Sequence, residues 1–210
     1  MNLLRRPFRY HSNNYVFVII GINVLVYLAE MFIKQVPVYF YLSLSPVAIM
    51  HGWIWQFVTY MFVHDPQSII HIIFNMLALF IFGPPVERQM GSREFLLYYL
   101  LTGILAGFFS FVVYVVTGTW NVLLLGASGA IFAVQLAYAV LFPRSKIYIW
   151  GILPLRAPVM VLGFTALELV SMIGGFTGGI SHLTHLVGFA IGWIYFLLRF
   201  GINPWRAMRS

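Results

Sequence analysis

Residues 126–130 read GASGA, and Ser128 at their centre opens an apolar run that continues to about Phe142. Further along, His182 and His185 stand in SHLTHLVGFAIG (181–192), and His71 and Asn75 stand one helical turn apart in HIIFN (71–75). A serine hydroxyl, a histidine and an amide donor are the parts of acyl-transfer chemistry. The histidine takes the hydroxyl proton as the serine attacks a carbonyl. N–H donors stabilise the oxyanion that forms.

The neighbouring small residues fit that chemistry. Gly126 and Gly129 flank Ser128 and clear space for a carbonyl to approach its backbone. Gly129, Ala133 and Ala137 continue as a small-residue stripe, and Gly188 and Gly192 follow His185 near one helical face. Smooth faces let two helices approach closely, which would bring Ser128 and His185 within hydrogen-bond reach. Plain helix packing uses the same stripes, and a histidine or asparagine in a membrane can serve only to bridge helices. The chemical reading rests on their coincidence.

A membrane bundle must position these groups. The chain of 210 residues is 61% hydrophobic and 18% aromatic, with 8% charged residues, against roughly a quarter in soluble domains. It contains no cysteine, which excludes disulfides, thiolate metal sites and a cysteine nucleophile. A spanning helix needs about 20 apolar residues. Six candidates occur, at roughly 15–33, 68–85, 95–117, 126–142, 157–175 and 181–200. The expectation is an all-α membrane protein, a single domain over residues 1–210 without internal repeats.

Eleven of the 12 basic residues fall on one side of these spans: Arg5, Arg6 and Arg9; Arg88 and Arg93; Arg144, Lys146 and Arg156; Arg199, Arg206 and Arg209. Lys34 falls on the other. The positive-inside rule then places both termini in the cytoplasm. Topology accounts for the net charge of +7, and no nucleic-acid partner is implied. The basic segment MNLLRRPFRYHSNN precedes an apolar stretch too long for a signal peptide and without an A-x-A-like cleavage site. It is read as leading into a retained first span. No organelle-targeting segment is evident, so a bacterial plasma membrane is the expected location. Between Lys34 and Ser68 an aromatic connection is broken by Pro37, Pro46 and Gly52. It reads either as an amphipathic structure in the interface, anchored by Trp53 and Trp55, or as a hydrophobic loop packed on the bundle.

With that orientation, spans two, four and six run from outside to inside. His71 and Asn75, Ser128, and Ser181, His182, Thr184 and His185 then share one depth, within roughly two turns (about 10 Å) of the outer boundary. Polar groups at membrane depth are costly and commonly functional. Glu168 is the acid expected inside a span, the fifth. It reads as an interhelical hydrogen-bond partner, or as a group that orients His185 or gates the site. Glu87 reads as holding the inner turn, with Arg88 or with a helix end.

In order along the chain, WQFVTYMFVH (55–64), HIIFN (71–75), GPPVERQMGS (83–92), GASGA (126–130) and HLVGFAIG (185–192) resemble the motifs of the rhomboid family of intramembrane serine proteases. The resemblance covers nearly the whole chain. It implies a six-transmembrane-helix rhomboid-like bundle and a serine–histidine dyad without a carboxylate. By position, Ser128 resembles the nucleophile and His185 the general base. His71 and Asn75 resemble the oxyanion side chains, joined by the Ser128 N–H. GPPVERQMGS resembles the turn after the second helix, and His64 a recurring structural histidine. His182 is the rival base, read as a rim residue in water or against the outer loops. Where relatives often carry a tyrosine one turn after the serine, this chain has Phe132, a ring that can stack on His185 but lacks a hydroxyl.

The implied activity is hydrolysis of a peptide bond in or near the transmembrane segment of membrane-protein substrates, within the lipid bilayer. No metal or cofactor is implied. The fifth span and the outer connection are the expected moving parts. Two other readings stay open: a catalytically inactive rhomboid-like protein that binds membrane clients, and a transporter lined by polar residues. Neither the substrate nor an oligomeric state follows from the sequence.

Overall fold

In a computed structural model of the chain, the described residues are 8–33, 37–149, 151–174 and 179–210. Arg5, Arg6, Lys34 and the side chain of Ser181 lie outside them. The first long apolar run forms α1, Tyr15–Phe32. Three short helices occupy the connection that follows α1: α2 Val38–Leu42, α3 Pro46–Met50 and α4 Gln56–Thr59, the last continuing into a 3₁₀ turn, Tyr60–Phe62. Then come α5 Ile69–Met90, α6 Ser92–Thr117 and α7 Ser128–Leu141. After them stand α8 Ala157–Ile173, α9 Gly179–Tyr195 with a π-helical turn at Phe196–Phe200, and α10 Pro204–Met208.

Four stretches are long and apolar enough to cross a membrane: Tyr15–Phe32, Ile69–Met90, Ser92–Thr117 and His182–Phe200. Helices α7 and α8 are apolar but shorter, at 14 and 17 residues, against the about 20 of a typical span. Helix α7 is the most enclosed, with Ala130, Ala133, Leu136, Ala137 and Ala139 buried among its neighbours. The other helices turn large apolar side chains outward, among them Leu25, Phe74, Val116 and Leu167. Such a surface suits lipid.

The fold is mostly α-helical, as the all-α expectation has it, and adds one short hairpin: Lys146–Ile149 (β1) and Leu153–Arg156 (β2) pair antiparallel, Lys146 opposite Arg156 and Ile149 opposite Leu153. The hairpin turns through Gly151, whose φ is 71°. Its sequence, KIYIWGILPLR, is rich in aromatic and branched residues around a glycine, a hairpin signal that a hydropathy window does not separate from helix. The second span is part of a longer helix. Helix α5 passes its expected end at residue 85 and runs to Met90 with Pro84 and Pro85 inside it. Each proline removes a backbone donor but holds φ near a helical value. Packing compensates locally: a β-carbon on Gly83 would lie 2.9 Å from both Val16 methyls. The turn comes instead at Gly91, with φ 86°.

Two buried acids tie the helices at one end. Glu87 accepts the N–H groups of Tyr15 (2.7 Å) and Val16 (2.9 Å) and the Ser92 hydroxyl. Its partner is therefore a helix end: the first N–H groups of α1 lack intrahelical acceptors, and α5 supplies one. Glu94, at the start of α6, accepts Arg199 Nε at 2.7 Å, Arg199 Nη2 at 2.8 Å and the Tyr195 hydroxyl.

The outer connection is packed on the bundle. The buried Gln56 amide accepts the Ser45 N–H at 3.0 Å and donates to the carbonyls of Phe40 and Tyr41. The Tyr60 hydroxyl donates to the Gly103 carbonyl of α6 at 2.6 Å. Leu44 and Leu124 exchange backbone hydrogen bonds at 2.9 Å, and the Gly126 N–H donates to the Tyr60 carbonyl at 3.0 Å. Trp53 stacks between Tyr41 and Trp55, with ring centroids 5.0 and 5.3 Å away.

Candidate active site

Gly126 takes φ 110°, a conformation that side chains disfavour, and turns the chain into α7. The helix begins at Ser128, and its first backbone bond closes from the Ile131 N–H to the Ala127 carbonyl at 3.0 Å. The Ser128 hydroxyl thus stands beside first-turn N–H groups that lack intrahelical acceptors. Such a helix start favours developing negative charge.

His185, two turns into α9, places Nε2 2.7 Å from Ser128 Oγ. The smooth helix faces explain the approach. A β-carbon on Gly188 would collide with the Gly129 carbonyl, and one on Gly192 would lie 3.1 Å from Ala133 Cβ. One on Gly129 would lie 3.1 Å from Thr184 Cγ2 and 3.2 Å from Ala106 Cβ. Thr184 Oγ1 and Ser110 Oγ, 2.7 Å apart, link α9 to α6. Sequence reading missed Ser110; its signal was one hydroxyl in the middle of an apolar helix. Phe132, one turn below Ser128, stacks flat on the His185 ring, with centroids 4.6 Å apart and planes 6° from parallel.

His71 and Asn75 lie one turn apart on α5 and face the same space. A β-carbon on Gly126 would be 3.2 Å from His71 Nε2. Asn75 Nδ2 donates to the His71 carbonyl at 2.8 Å, which leaves its second amide hydrogen for another acceptor. Both residues line a cavity of about 210 Å³ with Ser128, Phe132 and His185. A larger cavity of about 460 Å³, walled by Tyr39, Asp65 and Leu123 among others, also reaches Ser128, His71 and His185.

His64 is buried beside His71, with ring centroids 5.2 Å apart. Neither of its ring nitrogens bonds a described residue. Burial, reinforced by the His71 ring, pushes its pKa down to about 4. His182 departs from the rim position expected for it: its Nδ1 bonds the Glu168 carboxylate of α8, and its side chain is only 18% exposed. Glu168 Oε2 also lies 3.1 Å from His185 Nδ1, an ion-pair contact without hydrogen-bond alignment. Ligand atoms of Glu168, His182 and His185 fall within 4.8 Å of one another, a donor set that zinc would accept.

The profile of the Rhomboid domain matches residues 51–202, a stretch that contains Ser128, His185, His71 and Asn75. The putative rhomboid protease YdcA of Bacillus subtilis is 31% identical over 156 residues, covering 73% of this chain and 70% of that protein. The rhomboid protease GlpG of Haemophilus influenzae is 26% identical over 178 residues, or 85% of this chain and 86% of that protein. The chloroplastic rhomboid-like protein 11 of Arabidopsis thaliana is 32% identical over 195 residues, or 85% of this chain and 63% of that protein. With its long apolar helices and the match over most of its length, the chain is a multi-pass integral membrane protein that belongs to the rhomboid family.

Proposed function

We propose that the chain is an intramembrane serine endopeptidase in which Ser128 is the nucleophile and His185 the general base. The observation that carries this reading is the 2.7 Å contact between His185 Nε2 and Ser128 Oγ, made at a helix start and open to two cavities. As Oγ attacks the scissile carbonyl, its proton passes to Nε2. The oxyanion faces the Ser128 N–H and the side chains of His71 and Asn75. His185 then gives the proton to the leaving amine, and water activated by the same imidazole hydrolyses the acyl-enzyme. No metal or cofactor takes part.

The substrate is a transmembrane protein, cut in or near its membrane segment. Its helix unwinds locally, because a helical carbonyl is already hydrogen-bonded. The chain forms one membrane domain of six spans, with α7 and α8 as the short members and both termini in the cytoplasm. The charge pattern supports this: every described lysine and arginine belongs to the end of the bundle where Glu87 and Glu94 tie the helices. The relatives in Bacillus and Haemophilus support a bacterial plasma membrane, whereas those of mitochondria and chloroplasts belong to organelles.

Covalent labelling of the purified, detergent-solubilised protein with a fluorophosphonate probe tests the reading. Mass spectrometry should find the adduct on Ser128. The adduct should be absent in Ser128→Ala and strongly reduced in His185→Ala, and the wild type should cleave a reconstituted transmembrane reporter. A folded wild type that neither labels nor cleaves would instead be a client-binding relative.

A further inference from the structure

We infer that Glu168 is a positioning residue, whose carboxylate holds His185 with its proton on Nδ1, so that the site works as Ser128–His185–Glu168 rather than as a bare dyad. The inference rests on the protease reading above. To accept the Ser128 proton, Nε2 must be bare, so a neutral His185 carries its proton on Nδ1. Nδ1 is buried and has no aligned hydrogen bond to any described residue. The acceptor facing it is Glu168 Oε2, at 3.1 Å.

Glu168 is itself held in place. The same oxygen bonds His182 Nδ1, and a carboxylate oxygen has lone pairs for two donors. His182 and His185, three residues apart on α9, thus converge on one oxygen from α8. The His185 ring is then fixed in three ways: by Phe132 on its face, by Ser128 at Nε2 and by Glu168 at Nδ1. During attack the Oγ proton moves to Nε2 and the Nδ1 proton stays in place. Glu168 remains ionised and faces the imidazolium until the proton leaves with the amine. In a site removed from bulk water such a pairing counts for more than at a surface.

The alternative is that Glu168 only fastens α8 to α9. Labelling kinetics of the full-length protein separate the two. The rate constant at saturating fluorophosphonate, the probe concentration at half-saturation and the thermal midpoint are measured for wild type, Glu168→Gln and Glu168→Asp. Glutamine can turn an amide donor towards Nδ1–H. Glu168→Gln should lower the saturating rate constant by about tenfold or more, with half-saturation and thermal midpoint nearly unchanged. Glu168→Asp should recover part of the rate. A Glu168→Gln protein that labels as fast as wild type overturns the inference and leaves the protease reading standing. A wild type without an adduct on Ser128 overturns both. If Glu168→Gln does not fold, histidine-¹⁵N NMR of the unaltered protein near pH 8 decides, with the His185 signal assigned by its loss in His185→Gln. A strongly downfield Nδ1–H, the mark of a proton held by a carboxylate, upholds the inference, and an Nδ1–H without that shift, or a bare Nδ1, overturns it.

Discussion

Gly188 of α9 lies directly against the Gly129 carbonyl of α7, where no β-carbon fits. Backbone meets backbone one residue after the serine and three after the histidine. Gly188→Val should therefore push α7 and α9 apart. The expected cost is about 1–3 kcal/mol, seen as a lower thermal midpoint, with fluorophosphonate labelling of Ser128 largely lost. Gly163 of α8 has open space around its would-be β-carbon, so Gly163→Ala should leave labelling and midpoint near wild type.

The flat stack of Phe132 on His185 predicts a graded series. Aromatic pairs contribute about 0.5–1.5 kcal/mol beyond burial. Phe132→Ala should slow reporter cleavage by roughly three- to tenfold, and Phe132→Tyr should keep the rate close to wild type. Steady-state rates in proteoliposomes check both. Equal rates in Phe132→Ala and wild type would remove the stack from the catalytic account.

At the opposite end, Glu94 accepts two nitrogens of Arg199 and the Tyr195 hydroxyl. Glu94→Ala removes two charge-assisted hydrogen bonds from Arg199 and the acceptor of the Tyr195 hydroxyl, and should cost about 2–4 kcal/mol. Thermal unfolding should report the loss, while the labelling rate per folded molecule should hold, since Glu94 is remote from Ser128 along α6.

His64 carries the pH prediction. Its folded pKa, about 4, lies below the ordinary 6.5. The unfolded chain therefore binds more protons between those values, and stability rises with pH there. The contribution is fully present above about pH 6.5 and is lost as pH falls through about 4, on the order of 3 kcal/mol in all. His64→Leu should remove that acid sensitivity, so its thermal midpoint should gain on wild type as pH drops from 7 to 4.5. Parallel pH curves for the two proteins would contradict this.

Much of the candidate site's geometry was legible because helical rise converts numbering into depth. His71, Ser128 and His185 fall at matching distances from the starts of three spans that run in the same direction, and the glycines beside them mark where backbones touch. The shared contact of Glu168 was not legible to the same degree. Its partners depend on how α8 is rotated about its axis, and an apolar helix exposed on several faces carries little periodic signal. The extent of α5 was hidden for the opposite reason. Pro84 and Pro85 are strong local stop signals, yet Gly83 seated on Val16 and Glu87 bonded to α1 outweigh them. The hairpin at 146–156 was masked because nearly everything around it is apolar.

The backbone stitches between Leu44 and Leu124 and between Tyr60 and Gly126 make the connection between α1 and α5 a lever attached to the turn that leads into Ser128. A transmembrane helix leaning on that connection would transmit its load through two residues to Ser128. Cargo that seats well would steady the hydroxyl, and cargo that twists the connection would swing it out of line with His185. Under the proposed function, selection of substrates and alignment of the Ser128 oxygen would be one mechanical event.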